Sequence, residues 1–294
     1  MKKLVLFVCL VALPLAAQPF GKSDPGTFRH EIRLSQWNWS NFYWATEPLL
    51  ERDVRAIGLE YRTAYRPRNF EADVYAHLNY LNYDEQDRDD SYGVRVGLFS
   101  VTPVQEYNVY VDRGENRQSF TAGNVTAQAS VTMLAGEYRR NLVPAWMITS
   151  EGVHSQQRFD VSTTRDSNYT SLGAGIRYRG FGWRFSPEVG YIVSSLDSSA
   201  GDEDDRGPYI QAEYMPHFVP DARLYLSGRY RFKDRDYSAG GRTDDRPEWN
   251  FVASYRIRPR ISAILYYGRE DVNASVPDQD FDHDLLTLTL AWGL

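Results

Sequence analysis

The sequence predicts an all-β protein: one closed, transmembrane, antiparallel up-and-down barrel of about fourteen strands. Three observations carry that prediction. Apolar and polar residues alternate with period two over unusually long stretches. Two kinds of breaker, short Pro/Gly turns and long acidic stretches, take turns along the chain. The start of the chain is charged, then apolar, then small, which is the pattern of an export signal.

The signal comes first. Lys2 and Lys3 precede an apolar run over 4–13, and Ala16 and Ala17 stand before the polar Gln18. Cleavage is expected after Ala17, leaving 18–294 as one barrel domain. Cys9 is the only cysteine and lies inside the apolar run, not at its end, which argues against a lipid-modified terminus. The exported chain would then carry no thiol. That excludes a disulfide framework, a CxxC redox site and a zinc–thiolate centre.

Mean hydropathy is −0.53. No later stretch approaches the roughly 18 continuous apolar residues of a spanning helix. A barrel escapes that test, because only every second strand residue meets lipid. Aromatic residues make up 14% of the chain, including 21 Tyr and 7 Trp, as interfacial girdles require. The formal net charge of −6 argues against a protein that binds nucleic-acid phosphates.

The alternation is clearest in three places. Phe70, Ala72, Val74, Ala76, Leu78 and Tyr80 alternate with Glu71, Asp73, Tyr75, His77 and Asn79. Leu224, Leu226, Gly228, Tyr230 and Phe232 alternate with Arg223, Tyr225, Ser227, Arg229 and Arg231, which puts Leu226 toward lipid. Leu286, Leu288, Leu290, Trp292 and Leu294 alternate with Thr287, Thr289, Ala291 and Gly293. Such runs exceed a typical globular strand and suit a tilted spanning one.

Short turns are marked by Pro67, Pro103, Pro144, Gly180 with Gly182, Pro216 with Pro220, and Pro259. Proline has no N–H for a ladder, so each marks a strand end. Between them lie polar stretches at 41–52, 84–90, 113–122, 155–167, 197–206, 234–246 and 270–282. Alternating turns and loops predict strands near 27–39, 53–65, 69–81, 92–102, 105–112, 124–140 and 145–155. They continue near 168–179, 183–195, 207–215, 222–233, 247–258, 260–269 and 283–294. The region 113–140 also allows a twelve-strand count. A propeller would pack four short strands where each repeat here has two long ones.

With these features the chain resembles the outer-membrane β-barrel proteins of Gram-negative bacteria. The resemblance rests on residues 2–17, the hairpin pattern and the closing strand over 286–294. It is architectural, with the size of monomeric fourteen-stranded porins and no subfamily motif. It implies residence in the outer membrane among lipid and lipopolysaccharide. It also implies periplasmic chaperones and the barrel-assembly machinery as partners during biogenesis, with Trp292 and Leu294 in the strand that machinery reads. In that class the last strand usually ends in Phe or Trp; here Trp292 is followed by Gly293 and Leu294.

The residues that could carry function are charged and inward-facing. Lys and Arg number 33, and Lys2, Lys3, Lys22 and Lys233 are the only lysines. Arg177, Arg184, Arg223, Arg229, Arg231, Arg256 and Arg258 fall on polar strand faces, with Glu71, Asp73, Glu188 and Glu213. Rows of opposite charge across a lumen set up a transverse field that filters solutes. The expected function is therefore passive or weakly selective diffusion of small polar or anionic solutes. Mutually satisfied Arg–acid ladders that brace a closed lumen are the competing reading. The barrel would then be a structural or interaction protein, such as an accessory to polysaccharide export or surface organisation.

Other constellations point to simpler roles. Trp37, Trp39, Phe42, Tyr43 and Trp44 could stack on sugar rings, but an interfacial belt is the expected one. The acidic runs at 202–205 and 278–284 lack the spacing of a calcium loop, so no metal or cofactor is expected. His30, His77, His154, His217 and His283 form no nucleophile–base pattern, and no enzyme is expected.

Overall fold

The structure, a computed structural model, describes residues 24–40, 54–84, 90–118, 128–159, 166–179, 184–198, 202–216, 223–237, 243–275 and 281–294. Expectations for the export signal, Phe42, Tyr43, Trp44, His217, Asp278 and Asp280 lie outside the described residues. The strands are β1 (Phe28–Ser40), β2 (Val54–Tyr65), β3 (Asp73–Tyr83), β4 (Ser91–Val101), β5 (Gln105–Gln118), β6 (Gln128–Val143), β7 (Trp146–Phe159) and β8 (Ser167–Tyr178). Then follow β9 (Phe185–Ser198), β10 (Glu203–Tyr214), β11 (Leu224–Arg231), β12 (Asp234–Tyr237), β13 (Thr243–Asp245), β14 (Glu248–Arg258), β15 (Ile261–Ala274) and β16 (Phe281–Gly293).

These sixteen pieces make fourteen staves. Along β10, Tyr209 faces Arg231 of β11 and Arg206 faces Asp234 of β12, with no slip in register between them. The same holds on β15, which faces Asp245 of β13 and Glu248 of β14. Each pair is one stave with a short gap. The gaps fall at prolines: Pro208 opposite Phe232, and Pro247 between β13 and β14. A missing N–H interrupts the ladder without ending the stave. Gly207 serves the same spot, because a Cβ there would lie 1.6 Å from the Phe232 carbonyl oxygen.

The sheet is closed. Antiparallel neighbours follow one another from β1 to β16, and β1 pairs with β16 from Glu31↔Gly293 to Ser40↔Asp284. Closure leaves no edge, as lipid demands of a spanning sheet. The predicted short turns that lie within the described residues, at Pro67, Pro103, Pro144 and Pro259, are all at one rim, here the lower rim. The upper connections are shorter than predicted, since β9, β10, β12, β13 and β15 continue into stretches predicted as loops. Composition hides those extensions. Glu203, Asp205 and Asp244 are acidic, yet they keep the inward alternation and are buried.

The outward face is an apolar band. Leu34, Leu59, Leu78, Val96, Val111, Leu172, Val189 and Leu288 are all exposed. That area is far larger than a soluble monomer leaves open to water. At the lower rim Phe28 stacks on Tyr65 at 4.6 Å, and Trp146 lies 4.8 Å from Tyr178. These are the girdle aromatics. Trp37 and Trp39, by contrast, do not join a belt. On β1 the outward positions belong to Phe28, Ile32 and Leu34, so the tryptophans turn inward, and Trp39 is 5% exposed. There it joins Val54, Ala56, Tyr83, Tyr266 and Leu285 in an apolar cluster inside the barrel.

Leu226 is outward but pairs with Tyr214, the last residue of β10, and so sits near the lower rim. Leu59 is the better probe of mid-bilayer lipid, exposed between Leu34 and Tyr80. Leu59→Arg should cost roughly 2–4 kcal/mol of unfolding free energy in lipid vesicles. A neutral result would put that face against protein or water.

The lumen as candidate functional site

The inward face is unevenly lined, and even β1 and β2 carry the ion pairs Arg33–Glu31 and Arg62–Glu60 in their lower halves. The upper part of β1–β3 and the middle of β14–β16 carry the apolar cluster just described. The wall from β5 to β12 carries charge, and its members are matched in an ordered way.

The deepest group centres on Glu188 of β9. Its carboxylate accepts from Thr149 Oγ1, Tyr209 OH and Arg177 Nε, each at 2.7 Å. Arg177 Nη1 makes a second ion pair, 2.6 Å from Glu213 of β10. From there the chain of charges continues to Arg139 of β6, whose guanidinium lies 3.7 Å from Glu213 and 3.5 Å from Glu106. Arg179 Nη2 donates to Glu106 at 2.8 Å. β6 and β10 are not neighbours, so this lower belt reaches across the lumen.

A second crossing lies above it. Arg229 of β11 donates through Nη2 and Nη1 to the two oxygens of Glu151 of β7, at 2.7 and 3.1 Å. The same guanidinium lies 4.2 Å over the Tyr209 ring. That ring lies flat against the sheet because Gly190 leaves room; a Cβ there would come within 2.4 Å of it. Two cavities, of about 190 and 110 Å³, lie along the lumen, and Glu151 and Arg229 line both.

Near the upper rim Arg235 donates to Asp205 at 2.5 and 2.7 Å and to Glu203 at 2.7 Å. Lys233 Nζ lies 2.7 Å from Glu248 and 2.9 Å from Glu270. Buried ion pairs of this kind repay desolvation only when both partners are well bonded. Most of these are.

Of the residues singled out from sequence, Arg177, Glu188, Glu213, Arg229 and Arg231 are inward and share the β8–β11 wall. Asp73 is inward and buried on β3, apart from them. Glu71 is exposed in the β2–β3 turn, Arg184 is half-buried just before β9, and Arg223, Arg256 and Arg258 are exposed at the lower rim. Strict alternation predicts all five of these to be lumenal; they lie where strands meet their turns, at the mouth of the lower rim. His77 and His283 are inward and buried, as their parity predicts. Sequence reading misses Glu151, Arg139, Lys233 and Arg235. Glu151 and Arg139 stand at inward parity beside Thr149 and Glu137. Lys233 and Arg235 fall at or beyond the predicted end of their strand.

In architecture the barrel is similar to solved outer-membrane β-barrels. A bacterial polysaccharide outer membrane secretin superposes with a TM-score of 0.50 at 9% identity, over 90% of this chain and 97% of that one. An outer membrane channel from Pseudomonas putida F1 gives 0.48 at 9%, over 94% and 99%. An anion-selective porin from Comamonas acidovorans gives 0.44 at 7%, over 92% and 100%. At these identities the likeness is one of fold. No protein-family model and no characterised protein sequence matches the chain.

Proposed function

We propose that the protein is a narrow, passive channel for small polar or charged solutes in the outer membrane of a Gram-negative bacterium. The observation that carries this reading is the pair of cavities inside the lumen, lined by charge and sharing Arg229 and Glu151 among their walls. A barrel of fourteen staves stands between small ones filled by side chains and larger ones that hold an open channel. Opposed charges on its walls would sort solutes by charge and dipole. No bond is made or broken in this reading, so the protein is not an enzyme. The strand that ends in Trp292 and Leu294 is the segment we assign to the assembly machinery.

The belt from Arg177 to Arg179 favours a second reading, in which the ion pairs seal the lumen and the barrel is structural. Planar-bilayer recording of the refolded chain separates the two. Small, steady single-channel steps are expected. A barrel that inserts but passes no current would establish the structural reading instead.

A further inference from the structure

Beside the finished bridge across the lumen stands an unfinished one. Arg231 follows Arg229 by two residues on β11 and so faces the same way, one step nearer the upper rim. Glu137 of β6 is the direct cross-strand partner of Glu151. Each member of the Arg229–Glu151 bridge therefore has a like-charged neighbour on its own wall.

Those neighbours lack the bonds that their counterparts make. Arg231 is 8% exposed, yet among the described residues its Nε and Nη2 have no hydrogen-bond partner. Among the described residues Glu137 forms an ion pair only with Arg139, 3.7 Å away. The other acids lining the larger cavity, Glu151, Glu203, Asp205, Glu248 and Glu270, each hold a cation at 2.9 Å or less. A buried guanidinium with idle donors costs free energy unless something supplies an acceptor. Both Arg231 and Glu137 line the cavity of about 190 Å³.

We propose that this cavity binds a small zwitterion of the amino-acid class, carboxylate toward Arg231 and ammonium toward Glu137. The proposal deepens the channel reading by naming a solute class and its stopping place in the lumen. A simple anion fits less well, because the lining is nearly balanced in charge, with six acids against five Arg or Lys and His283. An apolar side chain on the ligand would find Tyr169, Ile192 and Leu196 on the same lining. The volume falls below the roughly 300–1,000 Å³ of drug-sized pockets, so the ligand is small.

The test is calorimetric titration of the full refolded chain in detergent, with three probes of nearly equal shape. L-Phenylalanine carries both charges, L-phenylalaninamide only the positive one, and 3-phenylpropionate only the negative one. Saturable binding of phenylalanine is expected, with each singly charged probe weaker by about tenfold or more, the worth of one charge-assisted hydrogen bond. In Arg231→Gln the advantage over the amide should vanish while the advantage over phenylpropionate stays. Glu137→Gln should show the reverse. Equal binding of all three probes by the unmodified chain, or no saturable binding, overturns the proposal without recourse to any variant. Binding in micelles needs no conduction, so the two readings fail separately. A current without saturable binding removes the site and leaves the channel; binding without current does the opposite.

Discussion

Arg177→Met is expected to lower the unfolding free energy by about 3–5 kcal/mol, the cost of removing one partner from a buried ion pair. Arg177 is 1% exposed and Glu188 is 5% exposed, so neither can turn to water when the other is lost. Removing the guanidinium leaves Glu188 with Thr149 and Tyr209, which are neutral donors. Among the described residues Glu213 would be left with Arg139 alone, at 3.7 Å. Two carboxylates would thus share a wall with too little positive charge. Urea unfolding in detergent measures the loss. Arg177→Met combined with Glu188→Gln should cost less than the separate effects together, because the second change removes the charge that the first has stranded. Arg256→Ala, at an exposed rim position, should stay within about 0.5 kcal/mol. A similarly small effect for Arg177→Met would mean that the lower belt is wetter and looser than its geometry.

The two crossings of the lumen differ in how far the amino-acid sequence reveals them. The fourteen-strand reading and five of the six turns follow from two local rules, period two and the missing N–H of proline, with Gly180 and Gly182 marking the sixth turn. Both act within a few residues, so a linear reading captures them. The partnership of Arg177 with Glu188 is half visible in the same way, since both stand at inward parity near the lower ends of adjacent staves. Arg229 with Glu151 is not. They are separated by four steps around the wall and meet only because the sheet closes. Closure is a global property, and no window along the chain contains it.

Where sequence and structure differ, the reasons are physical too. Tryptophan's preference for interfaces predicts a belt at Trp37 and Trp39, yet parity on β1 sends them inward to join Tyr83 and Leu285. Position on the pleat outranks residue preference. Charge predicts loops at the acidic upper ends of β10 and β13. Inside a barrel, however, a charged residue is an ordinary strand residue, provided that an opposite charge faces it, as Arg235 faces Asp205.

The largest functional effect is expected at the upper crossing. The Arg229–Glu151 bridge lines both cavities, so Arg229→Ala should widen the space they share and raise the single-channel current severalfold. Its sign is informative as well as its size. Removing Arg229 leaves the Glu151 carboxylate uncompensated at a constriction, where a fixed charge favours counter-ions. The reversal potential in a salt gradient should therefore move toward cation preference. Glu151→Gln frees the guanidinium instead and should move it toward anion preference. A shift of opposite sign from the two partners of one bridge is hard to obtain by general loosening of the barrel, which would act alike in both. Combining the two substitutions should return selectivity close to that of the parent chain while the larger current remains. Reversal potentials unmoved by either substitution would place the conduction path elsewhere than the bridge, and the two cavities would then be packing gaps in a braced wall.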